Sequence, residues 1–188
     1  MQNNFKNITF LKNITTHDYQ GFLKLPPMTP FSAEITDYLN ALSKEINKDP
    51  RIREFPDVSS FSFFCRKANL LLLKKKYYDS SITKFGRGLV FHIAPSNVPV
   101  NFAFSLMVSL LSGNSNIVRV ASKKFDQTEI IVNSINKLAQ VSQYSKVSNR
   151  IIIVKYNRNS DATKDFSRDC DVRIIWGGDE TISQIREN

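Results

Sequence analysis

Three short stretches of this sequence carry residue types suited to holding a ligand. Pro95-Ser96-Asn97-Val98-Pro99 sets a side-chain amide between two prolines. Arg119-Val120-Ala121-Ser122-Lys123 brackets a hydroxyl with two cations, and Trp176-Gly177-Gly178-Asp179 places a glycine pair beside an indole. An asparagine amide can donate N–H to an oxygen that gains negative charge. A glycine pair lets backbone N–H groups approach a phosphate, and a helix starting just after it adds partial positive charge. Arg119, Ser122 and Lys123 can hydrogen-bond a ribose or a ribose phosphate. Each stretch also has a plainer use. Asn97 could cap the helix that follows, Gly177-Gly178 could only turn the chain, and Arg119 could be a surface charge at a strand end.

The elements around these stretches bring them to one place. Residues 89–94, 116–121, 150–156 and 172–176 are short, nearly pure apolar runs rich in β-branched residues, which reads as strands buried on both faces. Helical patterns alternate with them over 99–111, 126–141 and 161–168, and a last helix opens after Gly177-Gly178. Pro99 suits the first turn of its helix and Gly113-Asn114 its end. Alternation of this kind predicts an α/β fold, a doubly wound parallel sheet with right-handed crossovers. Ligands bind beyond the carboxyl ends of strands in such sheets, and all three stretches fall there. Upstream, residues 1 to about 30 are polar and finish in Leu25-Pro26-Pro27-Met28-Thr29-Pro30, an extended segment. Residues 29–48 and 59–77 read as two helices, the second ending in Lys74-Lys75-Lys76. Two regions result: a helical and extended one over 1–84 and an α/β one over 85–188.

Composition narrows the chemistry. The chain has 188 residues, 41% hydrophobic and 23% charged, ordinary for a globular protein. No apolar run reaches membrane-spanning length, and the N-terminus has no signal-peptide pattern. That implies a cytoplasmic protein and makes the sequon-like Asn7-Ile8-Thr9 and Asn13-Ile14-Thr15 coincidental. Cys65 and Cys170 are far apart without metal spacing, and His17 and His92 are too few for a zinc site. No metal is expected, and His92, inside a strand, reads as a satisfied buried histidine. The formal net charge of +9 suits an anionic partner, whether nucleic acid, membrane or phosphorylated cofactor, or a solvated basic face. The G-x-G-x-x-G fingerprint of a standard Rossmann dehydrogenase is absent.

Ala94-Pro95-Ser96-Asn97-Val98-Pro99, the apolar helix ending Ser112-Gly113-Asn114, and Val118-Arg119 resemble the cofactor half of the aldehyde dehydrogenase superfamily. Phe55-Pro56-Asp57, the stretch Phe64-Cys65-Arg66-Lys67-Ala68-Asn69-Leu70, and Ile175-Trp176-Gly177-Gly178-Asp179-Glu180 more closely resemble the LuxC family, the acyl-CoA reductases of bacterial luminescence. The resemblance runs from about Pro30 onward. It implies that Asn97 stabilises the oxyanion formed on the reacting carbonyl. Pro95 and Ser96 would line the nicotinamide side, and Arg119 would bind the ribose. Ser122 would take the position that selects between the two nicotinamide cofactors, and Gly177 and Gly178 would face the pyrophosphate. With Lys123 adjacent and no acid there to repel a 2′-phosphate, NADPH is expected, with NADH possible. The implied substrate is acyl-CoA or another acyl thioester, reduced to an aldehyde through an acyl-cysteine.

The sequence departs from the superfamily in three places. Ser96 replaces a tryptophan common in aldehyde dehydrogenases, as suits the acyl-CoA reductase branch. Asn157-Arg158-Asn159-Ser160 replaces a glycine-rich turn after the third strand. The nucleophilic cysteine of the superfamily lies downstream of the glycine turn, and neither Cys65 nor Cys170 matches it. The expectation is therefore an N-terminal, cofactor-binding part of such an enzyme, inactive by itself. It could form a homo-oligomer or meet a partner that carries the acyl group. The alternatives are a non-catalytic nucleotide- or nucleic-acid-binding module, or part of a related acyl-phosphate reductase.

Overall fold

A computed structural model of the chain describes residues 8–12, 16–157 and 160–186. The chain runs through β1 (Thr9–Phe10), α1 (Thr16–Leu23), α2 (Ala33–Ile46), a single-turn segment Pro50–Glu54, α3 (Pro56–Phe64) and α4 (Lys67–Tyr77). It continues through β2 (Leu89–Ile93), α5 (Asn101–Leu111), β3 (Ser115–Arg119), α6 (Asp126–Ala139), the short α7 (Ser145–Ser148) and β4 (Ile151–Lys155). The last elements are α8 (Ala162–Asp169), β5 (Val172–Ile175) and α9 (Asp179–Arg186).

One sheet of order β1-β4-β3-β2-β5 organises the molecule. Strands β2 to β5 are parallel, with Leu89 opposite Ser115, Asn116 opposite Ile151 and Val90 opposite Val172. Successive side chains on a strand point to opposite faces. Leu89, Phe91 and Ile93 accordingly pack with Tyr19 and Phe22 of α1 and Phe166 of α8, while Val118, Ile151 and Ile153 pack with α2, α5 and α6. Helices cover both faces, which is why the strands read as continuous apolar runs.

The sheet is mixed rather than wholly parallel. Thr9 and Phe10 pair antiparallel with Lys155 and Val154, so part of the supposed extended N-terminus is an edge strand. No periodicity betrays a strand of this length. Its place is held by long-range bonds, such as Asn136 Nδ2 donating to the Leu11 carbonyl at 2.9 Å.

Residues 59–77 form two helices, not one. Arg66 is extended (φ −64°, ψ 141°) and breaks the run after Cys65. Tertiary contacts impose the break: α3 buries Val58 and Phe61 while α4 turns to bury Leu70. The freed ends are satisfied by side chains. Asn40 of α2 accepts from the Lys67 N–H at 3.0 Å, and Asn69 donates to the Phe63 carbonyl at 2.7 Å.

Below the amino ends of the strands, the proline segment is threaded between two glycines. The Met28 N–H donates to the Gly113 carbonyl at 2.8 Å and the Gly86 N–H donates to the Met28 carbonyl at 3.0 Å. Gly113 sits at φ +87°, where a β-carbon would lie 2.0 Å from the Met28 oxygen. Asn114 caps the same corner by accepting from the Arg87 N–H at 2.6 Å. The glycine-asparagine turn is thus a structural corner, at the opposite end of the strands from the other sequence stretches. The sequon asparagines, and Arg158-Asn159 after β4, lie outside the described residues.

Candidate functional site

Counting only the parallel strands, the order is third, second, first, fourth. The chain leaves the sheet centre in opposite directions from β2 and β5, and the crevice between such strands is where open α/β sheets bind ligands. The carboxyl ends of β2, β3, β4 and β5 are aligned there by backbone bonds. Ala94 N–H donates to Arg119 O at 3.1 Å, Val120 N–H to Val154 O at 3.0 Å and Trp176 N–H to Ile93 O at 3.0 Å.

The loop after β2 presents Ser96, Asn97 and Val98 to solvent. The helix it feeds begins only at Asn101, its N-cap residue is Val100, and no side chain caps it. Asn97 is therefore not the cap of this helix, and the plainer use of its amide falls away. The loop is anchored on its far side by Thr128 Oγ1 of α6, which donates to the Pro99 carbonyl at 3.2 Å. With Pro95 and Pro99 restricting φ at both ends, the exposed amide rests on a stiff support.

Across the crevice, Gly177 and Gly178 follow Trp176 and lead into α9. Gly178 needs no positive φ, and a β-carbon built on it meets no protein atom within 4 Å. Neither backbone strain nor internal packing calls for glycine at this position, whereas close approach of a ligand would. The first turn of α9 carries Asp179 and Glu180, which offset the positive end of the helix dipole. Backbone N–H groups and the basic edge after β3 are then the attractive elements for an anion.

Arg119 and Ser122 are brought together by the Tyr156 carbonyl. Arg119 Nη2 donates to it at 3.4 Å, Ser122 Oγ donates to it at 3.1 Å, and the guanidinium lies 5.0 Å from the Tyr156 ring centroid. Lys123 is exposed, with Nζ 5.3 Å from the Phe125 ring centroid. This group follows β3, the strand beside β2, whose own following loop carries Asn97. Sequence reasoning missed Tyr156, whose backbone oxygen ties Arg119 to Ser122; a carbonyl contact leaves no signal in residue type.

The remaining candidates for chemistry are quiet. His92 is fully buried, with Nδ1 2.8 Å from Ser105 Oγ and Nε2 3.0 Å from Asn116 Oδ1. Burial lowers its pKa to about 4, so it is neutral at physiological pH. Burial also pushes up the thiols of Cys65 and Cys170. Cys65 is sealed against Met107 and Cys170 leans on the Ser167 carbonyl, so neither is an activated thiolate. Among the described residues, no cluster of His, Cys, Asp and Glu could hold a metal ion. No helix among them is long and apolar enough to cross a membrane.

Strand order and helices on both faces define a Rossmann-like α/β protein, whose strand order reverses between β2 and β5. The family model of the LuxC acyl-CoA reductases matches residues 66–188, most of the sequence, and the chain belongs to that family. Its kind of function is acyl-CoA reduction. No curated protein shows a significant match to the chain.

Proposed function

We propose that this chain is the nicotinamide-cofactor-binding part of an acyl-CoA reductase that uses NADPH to convert an acyl thioester into an aldehyde. The observation that carries the reading is that the Asn97 loop and the Gly178 turn follow the carboxyl ends of two paired parallel strands, β2 and β5, where the strand order reverses. There a β-carbon at Gly178 would meet no protein atom within 4 Å, which leaves the backbone open to a ligand. In this reading Gly177 and Gly178 receive the pyrophosphate on backbone N–H groups. Pro95 and Ser96 line the nicotinamide side, and Arg119, Ser122 and Lys123 take the ribose and its 2′-phosphate. Residues 85–188 are the cofactor-binding region, and the helical and extended residues 1–84 supply β1 to its sheet and α1 and α2 to its two faces.

The bound nicotinamide supplies a hydride to the acyl carbonyl carbon. The chain's own contribution is to bind, orient and stabilise charge. The Asn97 amide donates N–H to the carbonyl oxygen as that oxygen gains negative charge, and the proline-braced loop keeps the donor in place beforehand. Acyl transfer to the enzyme requires a thiolate. With Cys65 and Cys170 both held as thiols, we assign the nucleophile to a residue outside this sequence and expect the chain alone to be inactive. The substrate is acyl-CoA, or an acyl group delivered by a partner, in a cytoplasmic enzyme.

The net charge of +9 favours a second reading, a non-catalytic nucleotide- or nucleic-acid-binding module. A related acyl-phosphate reductase would share the scaffold and differ in the activated acid. Titration with NADPH and NADH, followed through Trp176, the only tryptophan, tests the leading reading. Saturable quenching by NADPH at lower concentration than by NADH is expected, with the preference lost in Lys123→Ala. No response to either nucleotide at millimolar concentration would sink it.

A further inference from the structure

A line of buried polar groups runs through the interior and ends at the crevice. Trp176, 44% exposed after β5, donates its indole Nε1–H to Ser105 Oγ of α5 at 3.1 Å. Ser105 Oγ lies 2.8 Å from His92 Nδ1, and His92 Nε2 lies 3.0 Å from Asn116 Oδ1. Asn116 Nδ2 in turn donates to the Asn114 carbonyl at 3.0 Å.

The directions of these bonds follow from the two ends. Asn116 spends an N–H on the Asn114 carbonyl, so its Oδ1 faces His92 and accepts. His92 must then carry its proton on Nε2, which leaves Nδ1 as an acceptor. Ser105 gives its proton to Nδ1 and keeps a lone pair for the indole N–H. Every member has one consistent role, so the hydroxyl is oriented before any ligand arrives. Ser105 and Asn116 are buried at 7% and 0% exposure, and a polar chain this deep persists only when satisfied.

We infer that Ser105, oriented by His92 and Asn116, is a positioning residue: it fixes the Trp176 indole and thereby the adjoining Gly177-Gly178 turn that receives the dinucleotide. The inference rests on the cofactor-binding reading and adds a cause for its geometry. Trp176 is held twice, by its backbone N–H on Ile93 O at 3.0 Å and by its ring on Ser105. An exposed indole with only the first tether would turn about its side-chain bonds. With both, the ring is a fixed wall of the crevice, and ordering it costs a ligand less.

The test uses the single tryptophan as its own reporter. In Ser105→Ala, time-resolved anisotropy of Trp176 without ligand should gain a fast local component. The NADPH dissociation constant should rise about 3- to 10-fold, the loss expected for one hydrogen bond and its ordering effect. Ser105→Thr, which keeps the hydroxyl, should restore both. Trp176→Phe removes the same bond from the solvent side without opening the core. Followed through NADPH emission, it should weaken binding by a similar factor. Unchanged anisotropy in Ser105→Ala, with NADPH bound as tightly as by the parent chain, overturns the inference and leaves the cofactor reading standing. A freed indole with unchanged NADPH affinity also overturns it. A parent chain that binds no nucleotide overturns the cofactor reading and with it the positioning role, even if the anisotropy changes as expected.

Discussion

At Gly178 an added methyl group meets no protein atom within 4 Å, and the backbone there needs no left-handed conformation. Gly178→Ala should therefore leave unfolding free energy within about 0.5 kcal/mol of the parent. NADPH affinity should fall about tenfold or more, since about 1.4 kcal/mol of lost backbone approach is a factor of ten. Denaturant unfolding and nucleotide titration read the two separately, and an unchanged dissociation constant would remove Gly178 from the site. His92 makes a prediction of another kind. Its pKa falls from 6.5 to about 4 because burial penalises the charged ring. Between those values the unfolded chain binds a proton that the native chain refuses, so stability rises with pH across the window. That contribution is complete above about pH 6.5, and on the order of 3 kcal/mol is lost as pH falls to about 4. His92→Gln should flatten this part of the stability profile, and a profile equally steep in the variant would contradict the assignment.

Among the elements, the corner where Met28 passes Gly86 and Gly113 fixes the start of β3 relative to the end of α5. Gly113→Ala forces a side chain into a left-handed backbone and against the Met28 oxygen at 2.0 Å. The expected cost is more than about 2 kcal/mol in equilibrium unfolding. A loss comparable to that at Gly178 would show that the corner relaxes freely. The break between α3 and α4 belongs to this scale too. The leucines and phenylalanines of 59–77 carry a continuous helical pattern, and the bend follows from burying Val58, Phe61 and Leu70, with Asn40 of α2 accepting from the freed Lys67 N–H.

For the molecule as a whole, +9 of charge separates the two readings of its partner. A dinucleotide makes few phosphate contacts, so NADPH affinity should fall only a few-fold on raising salt from about 50 to 200 mM. A nucleic acid held through six to ten phosphates would lose roughly 10³- to 10⁵-fold over the same range. A filter-binding series with single-stranded and duplex DNA, run beside the NADPH titration, reads both slopes. Steep, tight DNA binding with no NADPH response would favour the non-catalytic module.

The sequence by itself determined the parallel strands β2 to β5, the helices between them and the edge at which Asn97, Arg119 and Gly178 gather. Those features are written in local periodicity, in β-branched runs and in the positions of proline and glycine, and burial on both faces of a sheet leaves a strong mark on composition. What only the tertiary structure decided depends on contacts between distant residues. The two-residue edge strand β1 exists because β4 offers it backbone partners, and its own residues carry no signal. Asn97 is released from capping because α5 begins at Asn101, a boundary set by the turn through Pro99 and Val100. Arg119 and Ser122 share a carbonyl, and Trp176 is tied to Ser105, a helix serine that in sequence only interrupts an apolar run. Hydrogen-bond partners so far apart in sequence are chosen by how the layers stack, and no spacing rule encodes them.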